Sequence, residues 1–276
     1  MKEDYKNQPS NPDEVPYLLQ PPEVIDVSVG RQLFVDDFLI ETTSLMREYH
    51  QAKKFEGNPI LKPETEWEKD GLPVACPKSG GVWYDEEEHK FKMWYEAGWL
   101  RYMCYATSED GIHWDRPDLL EVEHTNIILP YEGYEPHKYT GDISYLRPDS
   151  TTVWIDYTAD KQEKYKLFLR NPGGNYEAIL ATSADGIHFE NYRFTNYQMG
   201  DRSTCFYNPF RQKWVYSLRK LIFPEGNLQR VRYYHESDDF LDVSWEKDDT
   251  VLWLSTDENN WTGITNLARK YVSVLK

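Results

Sequence analysis

The sequence predicts an all-β fold, a β-propeller assembled from a repeated four-stranded blade. Three observations carry this reading. A pattern of short strands recurs along the chain, the clearest copies close on the same Asp-Gly hairpin, and no stretch sustains the 3.6-residue period of a helix. The strands are rich in aromatic and β-branched residues with alternating apolar positions, which suits a pleated, half-buried surface.

Residues 1–30 read as a polar, Pro-rich N-terminal extension. The propeller then runs over 31–276 as one domain, since all-β units of this size need not be divided. Its first element is the strand Arg31-Gln-Leu-Phe-Val-Asp-Asp-Phe-Leu-Ile-Glu41, followed by a second expected strand over Leu45 to Ala52. The first blade contains Gly81-Val-Trp-Tyr-Asp85, Lys90-Phe-Lys-Met-Trp-Tyr95 and Tyr105-Ala-Thr-Ser-Glu-Asp-Gly-Ile-His-Trp114. The second repeats this as Thr152-Val-Trp-Ile-Asp156, Lys164-Tyr-Lys-Leu-Phe-Leu169 and Leu180-Ala-Thr-Ser-Ala-Asp-Gly-Ile-His-Phe189. The third is weaker, with Thr204-Cys-Phe-Tyr-Asn208, Lys213-Trp-Val-Tyr-Ser-Leu218, Tyr234-His-Glu-Ser-Asp-Asp and a closing Trp245. The hairpins repeat at about 75 and about 54 residues, and insertions such as Glu121 to Thr140 make the spacing unequal. A four-stranded unit at this spacing is a propeller blade. Three full blades are visible; the tail Val251 to Lys276 begins as a strand and then loses the pattern. Either the ring closes unusually, with the early strands pairing with the chain's other end, or it is shortened.

Composition narrows the function. The chain has 276 residues, 21 Tyr and 10 Trp, and a mean hydropathy of −0.76. Aromatics must therefore build much of the core, and their polar tips suit strands with a wet edge and sugar-binding clefts. The net charge of −16 argues against nucleic acid and against anionic membrane surfaces. No apolar run approaches membrane-spanning length, and Met1 to Gln20 shows no signal-peptide core. The expected location is cytoplasmic as the chain stands, or periplasmic or secreted if a leader has been removed. Cys76, Cys104 and Cys205 are far apart, odd in number and without CxxC spacing, so neither disulfides nor zinc are expected. His89, His124 and His137 lack ligand spacing, and no cofactor fingerprint appears. No metal and no cofactor are expected, and oligomeric state is left open.

The Ser-x-Asp-Gly-x-x-aromatic turn resembles the Asp-box of sialidases, one residue shorter. Asp110 and Asp185 are read as turn-shaping rather than catalytic, and His113 and His188, which repeat with the hairpin, as packing residues.

Superimposing the blades places chemistry. Lys78, Asp149 and Asp201 fall at equivalent positions just before the innermost strand. Glu96, Arg170 and Arg219 coincide at the end of the second strand. Equivalent positions face one axis, so these six are expected to ring one end of the channel. Such charges are costly if dry and unpaired, and make sense around a polar ligand or as salt bridges that tie the structure together. Paired carboxylates suit glycoside hydrolysis, one protonating the leaving oxygen while the other activates water or attacks the sugar. Arginines can also clamp a substrate carboxylate. Arg202 beside Asp201 joins this set, and Glu236, standing where the other blades carry Thr107 and Thr182, is a spare carboxylate. Trp99 is a candidate sugar-stacking ring, as is Trp94, although the latter suits the blade core better.

On these residues the chain resembles the five-bladed propeller glycosidases of arabinanase, β-xylosidase and invertase type. More narrowly, Leu33-Phe-Val-Asp-Asp-Phe-Leu-Ile40, Asn58-Pro-Ile-Leu61, Ser79-Gly-Gly-Val-Trp-Tyr84 and Gly200-Asp-Arg-Ser-Thr204 are similar to bacterial propellers of glycosyl-hydrolase type. The resemblance implies a first-blade carboxylate, Asp37 or Asp36, with Asp149 and Asp201 from the following blades. In an inverting mechanism Asp37 would activate water, Asp201 would act as the acid, and Asp149 would tune both. The invertase Asn-Asp-Pro-Asn-Gly and Glu-Cys-Pro patterns are absent, which argues against fructans. The expected partner is a carbohydrate, in particular a plant polysaccharide side chain. Two other readings stand beside this one: a non-catalytic carbohydrate-binding or interaction propeller, and a glycoside phosphorylase using Arg170, Arg219 and Lys78 for phosphate.

Overall fold

A computed structural model describes residues 23, 24, 26, 28, 37, 40–119, 124–129, 149–170, 176–223 and 228–255. These residues form an all-β structure of three antiparallel sheets in chain order. The first holds β1 (Ala75–Cys76), β2 (Val82–Asp85), β3 (Lys90–Ala97), β4 (Tyr102–Ser108) and β5 (Ile127–Leu129). Both β1 and β2 pair with β3, through Cys76 opposite Glu96 and Val82 opposite Met93. They are two halves of one inner strand, broken at residues 77–81. The second sheet runs β6 (Asp149–Ile155), β7 (Tyr165–Arg170), β8 (Glu177–Ser183) and β9 (Glu190–Gln198). The third runs β10 (Thr204–Asn208), β11 (Lys213–Ile222), β12 (Gln229–Ser237) and β13 (Val251–Leu254). The start of the tail is thus the fourth strand of the third sheet, paired to β12.

The packing follows from side-chain alternation. Tyr165, Leu167 and Leu169 of β7 join Ile179 and Ala181 of β8 in a core shared with Trp94, Met103 and Tyr105 of the first sheet. The intervening Phe168, with Ala178 and Leu180, points the other way, into a core shared with Trp214, Tyr216 and Leu218 of the third. The middle sheet is buried on both faces, so β7 and β8 read as nearly continuous apolar runs. Each fully buried Leu, Ile, Phe or Met side chain here contributes roughly 1.5–3 kcal/mol. Polar contacts cross the first interface as well. Asp85, fully buried, meets Lys92 Nζ at 2.9 Å, the Tyr165 hydroxyl at 3.0 Å and Lys164 Nζ at 3.3 Å.

The repeated hairpins are self-contained. Ser108 Oγ accepts from Gly111 N at 2.8 Å, and Asp110 Oδ1 accepts from Ile112 N and His113 N, both at 2.8 Å. Ser183 and Asp185 repeat this with Gly186, Ile187 and His188. The aspartates shape their turns, as expected. The histidines are not core residues, against expectation. His113 and His188 are exposed, because Nδ1 of each turns back to Oδ2 of its own aspartate, at 2.7 and 2.5 Å.

The expected strand over Leu45 to Ala52 does not form: these residues belong to no strand and are exposed. Arg47 separates Leu45 from Tyr49 on one face, and Met46 shares the other with Glu48 and His50, so neither face is apolar. Most of the expected strand over 31–41, most of the insertion over 121–140, and the tail beyond 255 lie outside the described residues.

Candidate functional site

The charged residues aligned by the repeat do meet, as three in-sheet ion pairs. Asp149 and Arg170 are directly opposed across β6 and β7, and Asp149 Oδ2 receives Arg170 Nη1. Just before β10, Asp201 Oδ1 receives Arg219 Nη1 at 2.8 Å. In the first sheet the signs are exchanged: Lys78, in the break between β1 and β2, pairs with Glu96 at the end of β3. The Lys78, Glu96, Asp149, Arg170 and Arg219 side chains are largely buried, whereas Asp201 is about half exposed.

Backbone contacts join the pairs into one mouth. Val153 N donates to Gly80 O at 3.1 Å, linking the inner strands of the first two sheets. The Ser150 hydroxyl accepts from Arg202 N, linking the second to the third. Lys78, Glu96, Ser150 and Thr151 line a cavity of about 10 Å³, room for one water molecule. Thr151 Oγ1 is buried there with no hydrogen-bond partner.

Two aromatic rings flank the mouth. Lys78 Nζ lies 4.1 Å from the Trp99 ring centroid, and Arg170 Cζ lies 4.4 Å from that of Tyr176. Each ring follows the second strand of its sheet, and both are 48 % exposed. Trp94, by contrast, is fully buried core.

Two further expected site residues have partners of their own. Asp37 is exposed and bonds Arg47 Nη2 at 2.5 Å; its neighbour Asp36 lies outside the described residues. Glu236 sits opposite Val215, four residues back along β11 from Arg219. It is held bidentately by Arg211 at 2.7 and 3.0 Å and also receives the Tyr234 hydroxyl. Burial pushes the Glu236 carboxyl up, but these bonds outweigh it and hold it below its ordinary range. That is the wrong direction for a proton donor. Arg202 is exposed beside Asp201, with its backbone at φ 62°.

Arg232 was not among the residues the sequence singles out. It lies directly opposite Arg219 on β12 and donates Nη1 to the carbonyls of Arg202 and Ser217. A signal for it existed in the repeat. The corresponding cross-strand partners in the other sheets are Met103, opposite Glu96, and Ala178, opposite Arg170. Tyr176 was missed too, because the loops that follow the second strands differ in length and hide its correspondence with Trp99. Among the described residues no group of His, Cys, Asp and Glu is disposed to hold a metal ion, and no helix is long and apolar enough to cross a membrane.

No family model and no curated protein matches the chain. Among solved structures the chain is similar to carbohydrate enzymes. One is a thermostable family-43 glycoside hydrolase, 13 % identical with a TM-score of 0.45, covering 71 % of this chain and 58 % of that one. Another is an endo-1,4-β-xylanase from Bacteroides thetaiotaomicron VPI-5482, 15 % identical with a TM-score of 0.39, covering 65 % and 53 %. A third is an N-acetylgalactosamine deacetylase from F. plautii in complex with blood group B trisaccharide, 15 % identical with a TM-score of 0.38, covering 58 % and 49 %. The chain thus spans about half the length of these structures.

Proposed function

We propose that this chain is a carbohydrate-active protein of the five-bladed propeller type that binds a glycan at the mouth formed by its three ion pairs and hydrolyses a glycosidic bond there. The observation that carries the reading is the pair of rings Trp99 and Tyr176. Each is backed by the cation of an equivalent ion pair and leaves surface open to solvent. A sugar presents a C–H face that stacks on such a ring and hydroxyls that need charged or polar partners, and this mouth supplies both. In this reading half-exposed Asp201 acts directly on the bond or its attacking water. Asp149, buried against Arg170, is the second carboxylate and fixes the wall of the site. Asp37, exposed and bound to Arg47, is given no step in this reading.

A non-catalytic carbohydrate-binding role is the second reading. It is favoured by one observation: Glu96, Asp149 and Asp201 each already have a cation on the neighbouring strand. Reducing-sugar release from a panel of plant and bacterial glycans, measured beside binding, separates the two. Hydrolysis predicts release that Asp201→Asn and Asp149→Asn abolish in folded protein. Glycan binding without release on any substrate selects the binding role, and neither binding nor release overturns the carbohydrate reading.

A further inference from the structure

We propose that the third sheet adds an anion subsite to this mouth, formed by Arg219, Arg232 and Arg202, which takes the acidic substituent of a charged glycan. The inference rests on the carbohydrate reading above and names its substrate class. Arg219 and Arg232 are direct cross-strand partners, an arrangement that costs stability because like charges face each other. Met103 and Ala178 at the matching positions show that the sheet geometry does not require a cation there.

The local charge is unbalanced. Of the three arginines, only Arg219 meets a carboxylate among the described residues, that of Asp201. Arg232 uses Nη1 for two main-chain carbonyls, so its Nε and Nη2 protons are left without partners among the described residues. Burial first, then the adjacent Arg219, push the Arg232 guanidinium below its ordinary range, and Asp201, which acts the other way, does not offset them. Arg202 adds an exposed guanidinium whose own carbonyl is held by Arg232. A surplus of cations on a chain of net charge −16 is a local feature and not a general one. A planar carboxylate or a sulfate ester matches the fork of N–H donors that guanidinium groups present. Because Asp201 is half exposed, an incoming anion can share Arg219 without being excluded by a buried pair.

The test compares the affinities of neutral and uronate- or sulfate-bearing xylo- and galacto-oligosaccharides of matched length, for the wild type, Arg232→Met and Arg232→Lys, with folding checked by thermal unfolding. The wild type should bind the acidic member of a pair about tenfold more tightly. That preference should vanish in Arg232→Met and persist in part in Arg232→Lys. A preference that survives Arg232→Met overturns the inference and leaves the carbohydrate reading standing. Equal wild-type affinity for neutral and acidic members does the same. Inorganic phosphate that binds at Arg232 without any preference for acidic sugars overturns the sugar-borne anion. Binding of no oligosaccharide removes both.

Discussion

Trp94, fully buried on β3, donates its indole Nε1 to the carbonyl of Gly186 at 2.7 Å and so fastens the first sheet to the hairpin of the second. The approach is close because Gly186 has no side chain: a Cβ there would lie 2.7 Å from Trp94 Cζ2, and its φ is +80°. Gly111, in the matching hairpin, has φ +73° but room for a Cβ, which would meet Phe91 at 3.6 Å, an ordinary van der Waals contact. Gly186→Ala should therefore cost the left-handed strain and an overpacking penalty, in total roughly 2–5 kcal/mol, whereas Gly111→Ala should cost only the strain, roughly 1–2 kcal/mol. Urea unfolding of the two variants checks the difference.

Asp85 should make the fold acid-sensitive. Burial pushes its carboxyl up, but Lys92 and the Tyr165 hydroxyl outweigh burial and hold it far below the usual carboxylate range. A depressed carboxyl contributes stability that is present above its unfolded value, about 3.9, and is lost as pH falls toward the folded one. The wild type should lose stability faster than Asp85→Asn as pH drops from about 4 to about 2. At neutral pH the variant should be less stable by roughly 3–5 kcal/mol, because Lys92 is left buried with one partner fewer. Urea midpoints across that pH range test both parts.

The exchanged signs of the first ion pair allow a double-mutant cycle. Lys78→Asp should be strongly destabilising, since it sets two carboxylates together, and an aspartate tolerates the φ of 44° at this position. Adding Glu96→Arg recreates the order found in the other two sheets and should recover about 1–3 kcal/mol. The recovery should be incomplete, because Glu96 Oε1 also accepts from Leu100 N at 2.9 Å and an arginine cannot. Thermal unfolding of the single and double variants measures the coupling.

Trp99→Ala and Tyr176→Ala should each weaken glycan binding roughly tenfold, about 1.4 kcal/mol. Both rings are half exposed, so the melting temperature should change little. Calorimetric titration beside a melting curve distinguishes a binding surface from a structural one.

Cys76 is exposed, whereas Cys104 and Cys205 are buried, and burial pushes both buried thiols well up. A thiol reagent should therefore modify one cysteine in native protein and all three after denaturation. A stoichiometry above one in the native protein contradicts this placement.

The parts of the fold legible in the sequence were those set by local pattern. The two Asp-Gly hairpins carry their hydrogen bonds within a few residues, so their sequences state their geometry. The strands β7 and β8 were legible as strands, but the burial of both their faces was not, since the alternating pattern suggested one wet face. Aligning the copies also set Lys78, Asp149 and Asp201 in one row and Glu96, Arg170 and Arg219 in another, but that the two rows pair member by member emerged only from the structure. Less legible were features that depend on partners across strands. Arg232 becomes noteworthy only once it stands opposite Arg219. Glu236 looked available until Arg211 and Tyr234 were seen to hold it. Asp37 was assigned through a motif, and its partner Arg47, ten residues on, was not legible from it.

Leu167 and Phe168 are one peptide bond apart, yet they end in different cores. A shift of β7 along its axis cannot be absorbed on one side alone, because both cores are filled from the same backbone. The middle sheet therefore ties the side of the mouth that carries Trp99 to the wall that carries Arg219 through packed hydrocarbon on both its faces, in addition to the polar contacts at the rim.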